Sequence, residues 1–163
     1  MSLRVYLSGA IEYSPDHGKA WRSELTGFLE GLGHHVYDPA LDEKKNLTEE
    51  ECLNFRAWKK TDLLRFQGVL RKIIAYDLDW IEHRTDCIIC YWDEYAQRGA
   101  GTQGELTFAH RRGTPVYLVA GIAVEQISGW IIGCSDMVFT DFASLQVYLR
   151  TQFLKSQDPE TNA

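Results

Sequence analysis

The feature that most constrains the fold is an unbroken apolar run in the middle of the chain, Cys87–Trp92. A strand with one face in water alternates apolar and polar residues, whereas a parallel strand covered by helices on both faces is apolar throughout. This run shows no alternation. It therefore predicts a central strand of a parallel sheet, with a layer of helices on each side.

Strand-like and helix-like segments alternate before and after this run. Further strands are predicted at Leu3–Leu7, His35–Tyr37, Val116–Val119 and Met137–Thr140. A long helical stretch begins at the capping-box pair Thr48 and Glu51 and continues, in one or two pieces, to about His83. Later helices are predicted at Thr102–Arg112, Val124–Ile132 and Phe142–Phe153. The pattern predicts a three-layer α/β sandwich with a mostly parallel five-stranded sheet, flavodoxin-like and doubly wound.

Length, charge and hydropathy narrow the possible functions. The 163 residues suffice for one domain, which we expect at residues 1–154, followed by a disordered polar tail at 155–163. A formal net charge of −6 argues against nucleic acid as a partner, because a basic surface that could hold a phosphate backbone is missing. With no apolar span of about 18 residues and no signal-peptide pattern, we expect a cytoplasmic protein that does not contact membranes.

The cysteines do not predict a metal or redox site. Cys87 and Cys90 have the spacing of such motifs, but residues three apart in a strand point to opposite faces. No second pair completes a zinc site, and no His, Asp and Glu spacing suggests another metal. We interpret the four cysteines as structural thiols of a reducing compartment and expect neither metal nor cofactor.

Glu105 is the first candidate for chemistry. In doubly wound sheets, ligands lie beyond the carboxyl ends of the strands, which gathers Ser8–Glu12, Trp92–Glu105 and Ala120–Ser128 around one site. Glu105 ends a glycine-rich segment at a predicted helix start, where the helix would stabilise an ionised, nucleophilic carboxylate. The alternative is structural, because Thr102 and Glu105 have capping-box spacing, so that Glu105 would only bond the amide of Thr102.

Asp77 is the second candidate. It falls on the apolar stripe of a predicted helix, whereas Asp79 points away from that stripe and is expected in solvent. Burying a carboxylate costs free energy unless it is hydrogen-bonded. Asp77 is therefore either part of a functional site or a structural residue that caps a neighbouring loop. Asp86 is interpreted as structural. Glu105 and Asp77 together would form a carboxylate pair of the kind that retaining glycosidases hold about 5 Å apart.

Four segments, in this order, resemble the nucleoside 2-deoxyribosyltransferase superfamily. They are Val5–Ala10, Asp77–Ile81, Gly101–Glu105 and Ile127–Gly133. The resemblance implies that Glu105 is the nucleophile, that Asp77 assists proton transfer and that Tyr6 lies at the active site. It also implies substrate-binding positions at Gly9, Ala10, Gly99, Gly101, Ser128 and Trp130.

The resemblance implies a reaction and an assembly. Glu105 would attack C1′ of a nucleoside, a nucleotide or a related N-riboside and release the base, and the glycosyl-enzyme intermediate would pass to a second base or to water. Ser128 would reach the active site of a neighbouring subunit, which implies a dimer or higher homo-oligomer with shared sites. No cofactor or metal is required.

Two positions depart from the family pattern. Gly99 stands where the transferases carry an aspartate that holds the 5′-hydroxyl, and where the related deoxynucleoside 5′-monophosphate N-hydrolases carry a serine. Glu12 lies in the first loop, where those hydrolases use an arginine to bind phosphate. The 5′ end of the substrate therefore lacks its usual contacts. The alternative function is a binding or sensing module that recognises a nucleotide-like ligand without turnover.

Overall fold

The computed structural model describes residues 2–42 and 44–157. The strands within these ranges are β1 (Arg4–Gly9), β2 (His35–Tyr37), β3 (Cys87–Trp92), β4 (Val116–Ala120) and β5 (Met137–Phe139). The α-helices there are α1 (Lys19–Gly31), α2 (Glu49–Thr61), α3 (Leu63–Arg84), α4 (Ala100–Arg112), α5 (Gly129–Gly133) and α6 (Phe142–Gln157).

The five strands form one sheet in the order β2-β1-β3-β4-β5. Every neighbouring pair is parallel, so the predicted α/β fold is confirmed and the sheet is parallel throughout. This is the strand order of flavodoxin-like proteins, in which the order reverses between β1 and β3. Chain connections leave the carboxyl ends of these two strands toward opposite faces, which opens a crevice at that edge.

The central strand explains how the core is divided. Ile88 and Cys90 belong to an apolar cluster on one face of the sheet, and Cys87 and Ile89 belong to a second cluster on the other face. All four side chains are at most 3% exposed. The unbroken apolar run is thus buried on both faces, and Cys87 and Cys90 point in opposite directions, as predicted.

The long helical stretch is two helices. Thr48 and Glu51 form the predicted capping box at the start of α2. Asp62 then separates α2 from α3 with a non-helical backbone, and its carboxylate accepts a hydrogen bond from the amide of Arg65. One side chain therefore marks the break and caps the second helix.

Two predicted elements differ in extent. In place of one helix over Val124–Ile132, a 3-10 turn at Val124–Gln126 is followed by the short α5, because Ser128 caps the amide of Trp130 and restarts the helix. The last helix continues to Gln157, which takes residues 155–157 of the expected tail into α6. The remaining tail residues, 158–163, lie outside the described part of the chain. Among the described helices, none has an apolar stretch that could cross a membrane.

Candidate active site

The carboxylate of Glu105 is held by two hydroxyl groups of β1. Tyr6 Oη donates to Oε1 at 2.8 Å, and Ser8 Oγ donates to Oε2 at 2.5 Å. Tyr6 and Ser8 are two residues apart, so they point to the same face of the strand. Because each carboxylate oxygen receives its own donor, the plane and the direction of the carboxylate are both fixed.

The predicted capping role of Glu105 is wrong. The helix begins earlier than expected, with Gly99 as its N-cap and Ala100 as its first residue. Thr102 therefore lies inside the helix, where it is 6% exposed, and Glu105 lies in the second turn. Its carboxylate faces β1 and not the helix start, so the helix terminus no longer explains its ionisation.

The surroundings of Glu105 act on its ionisation in opposite directions. Burial and the nearby Asp77 raise the pKa of Glu105, whereas the hydrogen bonds from Ser8 and Tyr6 and the charge of Lys45 lower it. Burial, followed by the negative charge of Glu105, holds the pKa of Tyr6 well above its ordinary value. Tyr6 therefore keeps its proton and remains a donor at neutral pH.

Asp77 lies on the buried face of α3, as the apolar stripe predicted, and it is 9% exposed. The side chain of Asp79 is 45% exposed and pairs with Arg84, so it faces solvent as predicted. Burial raises the pKa of Asp77, and an ion pair with Lys45 opposes that rise. The fold thus keeps a second carboxylate in low-dielectric surroundings, within electrostatic range of Glu105.

Both carboxylates line one cavity of about 700 Å³. Four of the predicted substrate-binding residues also line this cavity: Gly9, Ala10, Gly99 and Gly101. The volume falls within the range typical of small-molecule sites, about 300–1,000 Å³. The structure thus gathers most of the predicted site residues around a space that a small molecule could enter.

Two predicted substrate-binding residues lie outside this cavity. Ser128 caps α5. Trp130 is 68% exposed, and its indole Nε1 donates to Thr107 Oγ1 at 3.0 Å. Their assignment to the active site of a neighbouring subunit stays a prediction, as does the homo-oligomer.

The first loop is fixed by a buried arginine that the sequence analysis did not single out. Arg22 of α1 is fully buried, and it donates to the carbonyl oxygens of Gly9 at 2.9 Å, Gly18 at 3.1 Å and Ala10 at 3.2 Å. Asp38 lies 3.3 Å from its Nε. Arg22 therefore ties together three carbonyl groups of the backbone that follows β1.

The cavity lining contains both positions that depart from the family pattern, Glu12 and Gly99. Glu12 pairs with Lys59 of α2 at 2.7 Å, and Arg56 of the same helix also lines the cavity. Gly99 lies beside the ring of Tyr13, which an added Cβ would approach to 3.7 Å. The end of the cavity near these residues thus offers two cations and an aromatic ring.

Ser8 and Lys45 are the site residues that sequence reasoning missed. A signal for Ser8 was present, since the two-residue period of a strand places it beside Tyr6. Lys45 lies in an irregular charged loop, where no periodic pattern predicts a direction for a side chain. Across residues 2–42 and 44–157, no three His, Cys, Asp or Glu side chains are grouped to hold a metal ion.

Solved structures that share this fold include three enzymes. A 2-deoxyribosyltransferase from Bacillus psychrosaccharolyticus is 22% identical with a TM-score of 0.57, and the match covers 88% of this chain and 90% of that one. The CMP N-glycosidase of Clostridium botulinum is 18% identical with a TM-score of 0.52, covering 91% and 98%. A 2-deoxyribosyltransferase from Leishmania mexicana is 16% identical with a TM-score of 0.55, covering 90% and 95%.

The sequence itself matches no protein-family model and no curated protein. The structural matches extend over nearly the whole of each chain. The chain therefore has the fold of the nucleoside 2-deoxyribosyltransferase superfamily, which confirms the resemblance at the level of the fold.

Proposed function

We propose that this protein cleaves or transfers the N-glycosidic bond of a nucleoside or nucleotide, with Glu105 as the nucleophile. The observation that carries the proposal is the placement of Glu105. Its carboxylate is oriented by Tyr6 and Ser8 and borders the same cavity as Asp77. The named activities of the structural neighbours, deoxyribosyl transfer and CMP N-glycoside cleavage, concern the same type of bond.

The proposed reaction has two steps. In the first, an oxygen of Glu105 forms a bond to C1′ while the bond from C1′ to the base breaks, and the electron pair leaves with the base. The proton that the departing base needs would come from solvent: the ionised Asp77 takes it up and passes it to the base, and is then a carboxylate again. In the second step, water or another base attacks C1′ and releases the glutamate. Tyr6 and Ser8 would keep the carboxylate aimed at C1′ in both steps.

The test is release of free base from a panel of nucleosides and nucleotides, with and without a second base as acceptor. We expect Glu105→Gln to reduce the rate at least about 1,000-fold, because the amide cannot form the covalent intermediate. Glu30→Gln is the matched control, since Glu30 is an exposed residue of α1 outside the cavity lining. A wild-type rate for Glu105→Gln would refute the assignment of the nucleophile.

A binding module is the second candidate, and burial of the nucleophile favours it. Burial raises the pKa of Glu105, and a protonated carboxylic acid donates hydrogen bonds but does not attack carbon. A protein of this kind would be stabilised against heat by a nucleotide without releasing base over long incubation. Slow release that is abolished by Glu105→Gln would decide for the enzyme.

A further inference from the structure

We propose that Lys45 is a positioning residue of this site: its ammonium group, delivered by the loop between β2 and α2, allows Asp77 and Glu105 to be ionised together in one buried pocket. This inference rests on the proposed function for its catalytic meaning. The contact behind it is an ion pair between Lys45 Nζ and Asp77 Oδ1, in which the two side chains are 9% and 13% exposed.

The loop is shaped in advance to deliver this ammonium. The backbone of Lys45 has a φ of 42°, a left-handed conformation that costs a residue with a side chain about 1 kcal/mol or more. Its amide donates to Asp42 Oδ1 at 3.1 Å. The other oxygen of Asp42 accepts from Tyr37 at 3.1 Å and from Tyr76 at 3.0 Å. Contacts to β2 and α3 therefore stabilise the turn independently of Asp77.

The electrostatic reason is the need to hold two carboxylates in one pocket. Two buried like charges disfavour each other's ionisation, and burial disfavours both. The charge of Lys45 lowers the pKa of Asp77 and that of Glu105, against the rises due to burial. The ionisable groups that act on the pair, besides Lys45, are Tyr6, Arg22, Tyr37, Asp42 and Cys90.

Lys45 is thus the cation that pairs directly with Asp77, whereas Arg22, which also acts on Glu105, is engaged by Asp38 and by backbone carbonyls. Without Lys45, one of the two carboxyl groups would retain its proton near neutral pH. If that group were Glu105, the nucleophile would be lost. Lys45 would act through the carboxylates, so its removal should change the pH dependence of the reaction and not only its rate.

The first test compares pH profiles of kcat/KM for base release in the wild type, Lys45→Met, Lys45→Arg and the control Lys44→Met. Lys44 is an exposed neighbour in the same loop. For Lys45→Met we expect at least a tenfold loss near pH 6 that shrinks toward pH 9, because the carboxylates ionise only at higher pH. Lys45→Arg should restore most of the acidic limb, and Lys44→Met should follow the wild type. A loss that is equal at every pH would overturn the proposal.

The second test does not depend on activity. Thermal unfolding is followed at pH 4 and pH 8 for Lys45→Met, Asp77→Asn and the double variant. At pH 8, Lys45→Met should lower Tm markedly in the wild type but little in the Asp77→Asn background. At pH 4 the carboxyl groups are protonated, so the effect of Lys45→Met on Tm should be the same in both backgrounds. Additive effects at pH 8 would overturn the charge role of Lys45. Coupled effects without base release would support that role while the proposed function fails.

Discussion

Replacement of Ser8 by alanine removes one of the two donors that orient Glu105. The hydroxyl is fully buried and donates to Oε2 of Glu105 at 2.5 Å, while Tyr6 continues to hold Oε1. The change leaves no space larger than a hydroxyl group, so packing of β1 should survive. Its main effect should therefore fall on the carboxylate.

The magnitude follows from the charge of the acceptor. A hydrogen bond to a charged group contributes about 1.5–3 kcal/mol, and a neutral one about 0.5–1.5 kcal/mol. Burial raises the pKa of Glu105. The folded state therefore loses stability as pH rises and the buried Glu105 becomes ionised. The hydrogen bond from Ser8 stabilises the ionised form and reduces this loss. Ser8→Ala should therefore destabilise most at pH 8, by about 2 kcal/mol, and least at pH 4.

The assay is thermal unfolding across that pH range. A loss of about 2 kcal/mol corresponds to a fall in Tm of about 4–8 °C for a chain of this size. The acidic limb of the pH profile for base release should also move to higher pH, because Glu105 is ionised over a narrower range. The control is Ser8→Ala in the Glu105→Gln background, where the effect should be small and independent of pH. An equal loss at pH 4 and pH 8 would refute this account of the contact.

Three further predictions concern the first loop, a helix cap and the expected assembly. Gly18→Ala should destabilise the folded protein by about 1–3 kcal/mol and lower its activity. Gly18 has a φ of 69°, and an added Cβ would lie 2.6 Å from the Ala10 carbonyl oxygen. An unchanged Tm would contradict this. Thr48→Ala should cost about 1 kcal/mol by opening the capping box with Glu51, without changing base release, and Thr48→Ser should restore the Tm. Trp130→Ala should leave the Tm of the monomer nearly unchanged, because the side chain is 68% exposed. It should weaken assembly, measured by light scattering, and activity, measured by base release. A wild-type protein that is monomeric at all concentrations would exclude the shared site.

The fold was predictable because the spacing of apolar residues along the chain indicates which faces of each strand and helix are buried. The apolar run at β3 required cover on both faces, and the structure places Ile88 and Ile89 in different clusters. Asp77 was predictable for the same reason, since its spacing on α3 placed a carboxylate on a buried stripe. Both inferences used only the periodicity of a strand or a helix. That periodicity is a property of the local backbone and does not depend on the rest of the molecule.

The helix at Glu105 shows where this reasoning fails. Glycines at positions 99, 101 and 104 weaken helix propensity, so the start of α4 could not be located from the sequence, and Thr102 with Glu105 imitated a capping box. In the structure, Glu105 instead contacts β1, which lies about one hundred residues earlier in the chain. A local pattern cannot reveal that a distant strand offers better donors.

Under the proposed function, the same contrast separates the residues that would perform the reaction from those that would select its substrate. Tyr6, Ser8 and Glu105 belong to a strand and a helix that pack into the core, so the proposed nucleophile is held by regular elements of this chain. Another part of the cavity lining is formed by Glu12, by Lys59 of α2 and by Gly99 with its neighbours. Lys59 is already paired with Glu12, so a 5′-phosphate would have to separate that pair, whereas an uncharged 5′ end would not. Under the proposed function, with the 5′ end placed where the resemblance implies, this ion pair would select against nucleotides, and Glu12→Gln should favour nucleotides in the same base-release panel by freeing Lys59.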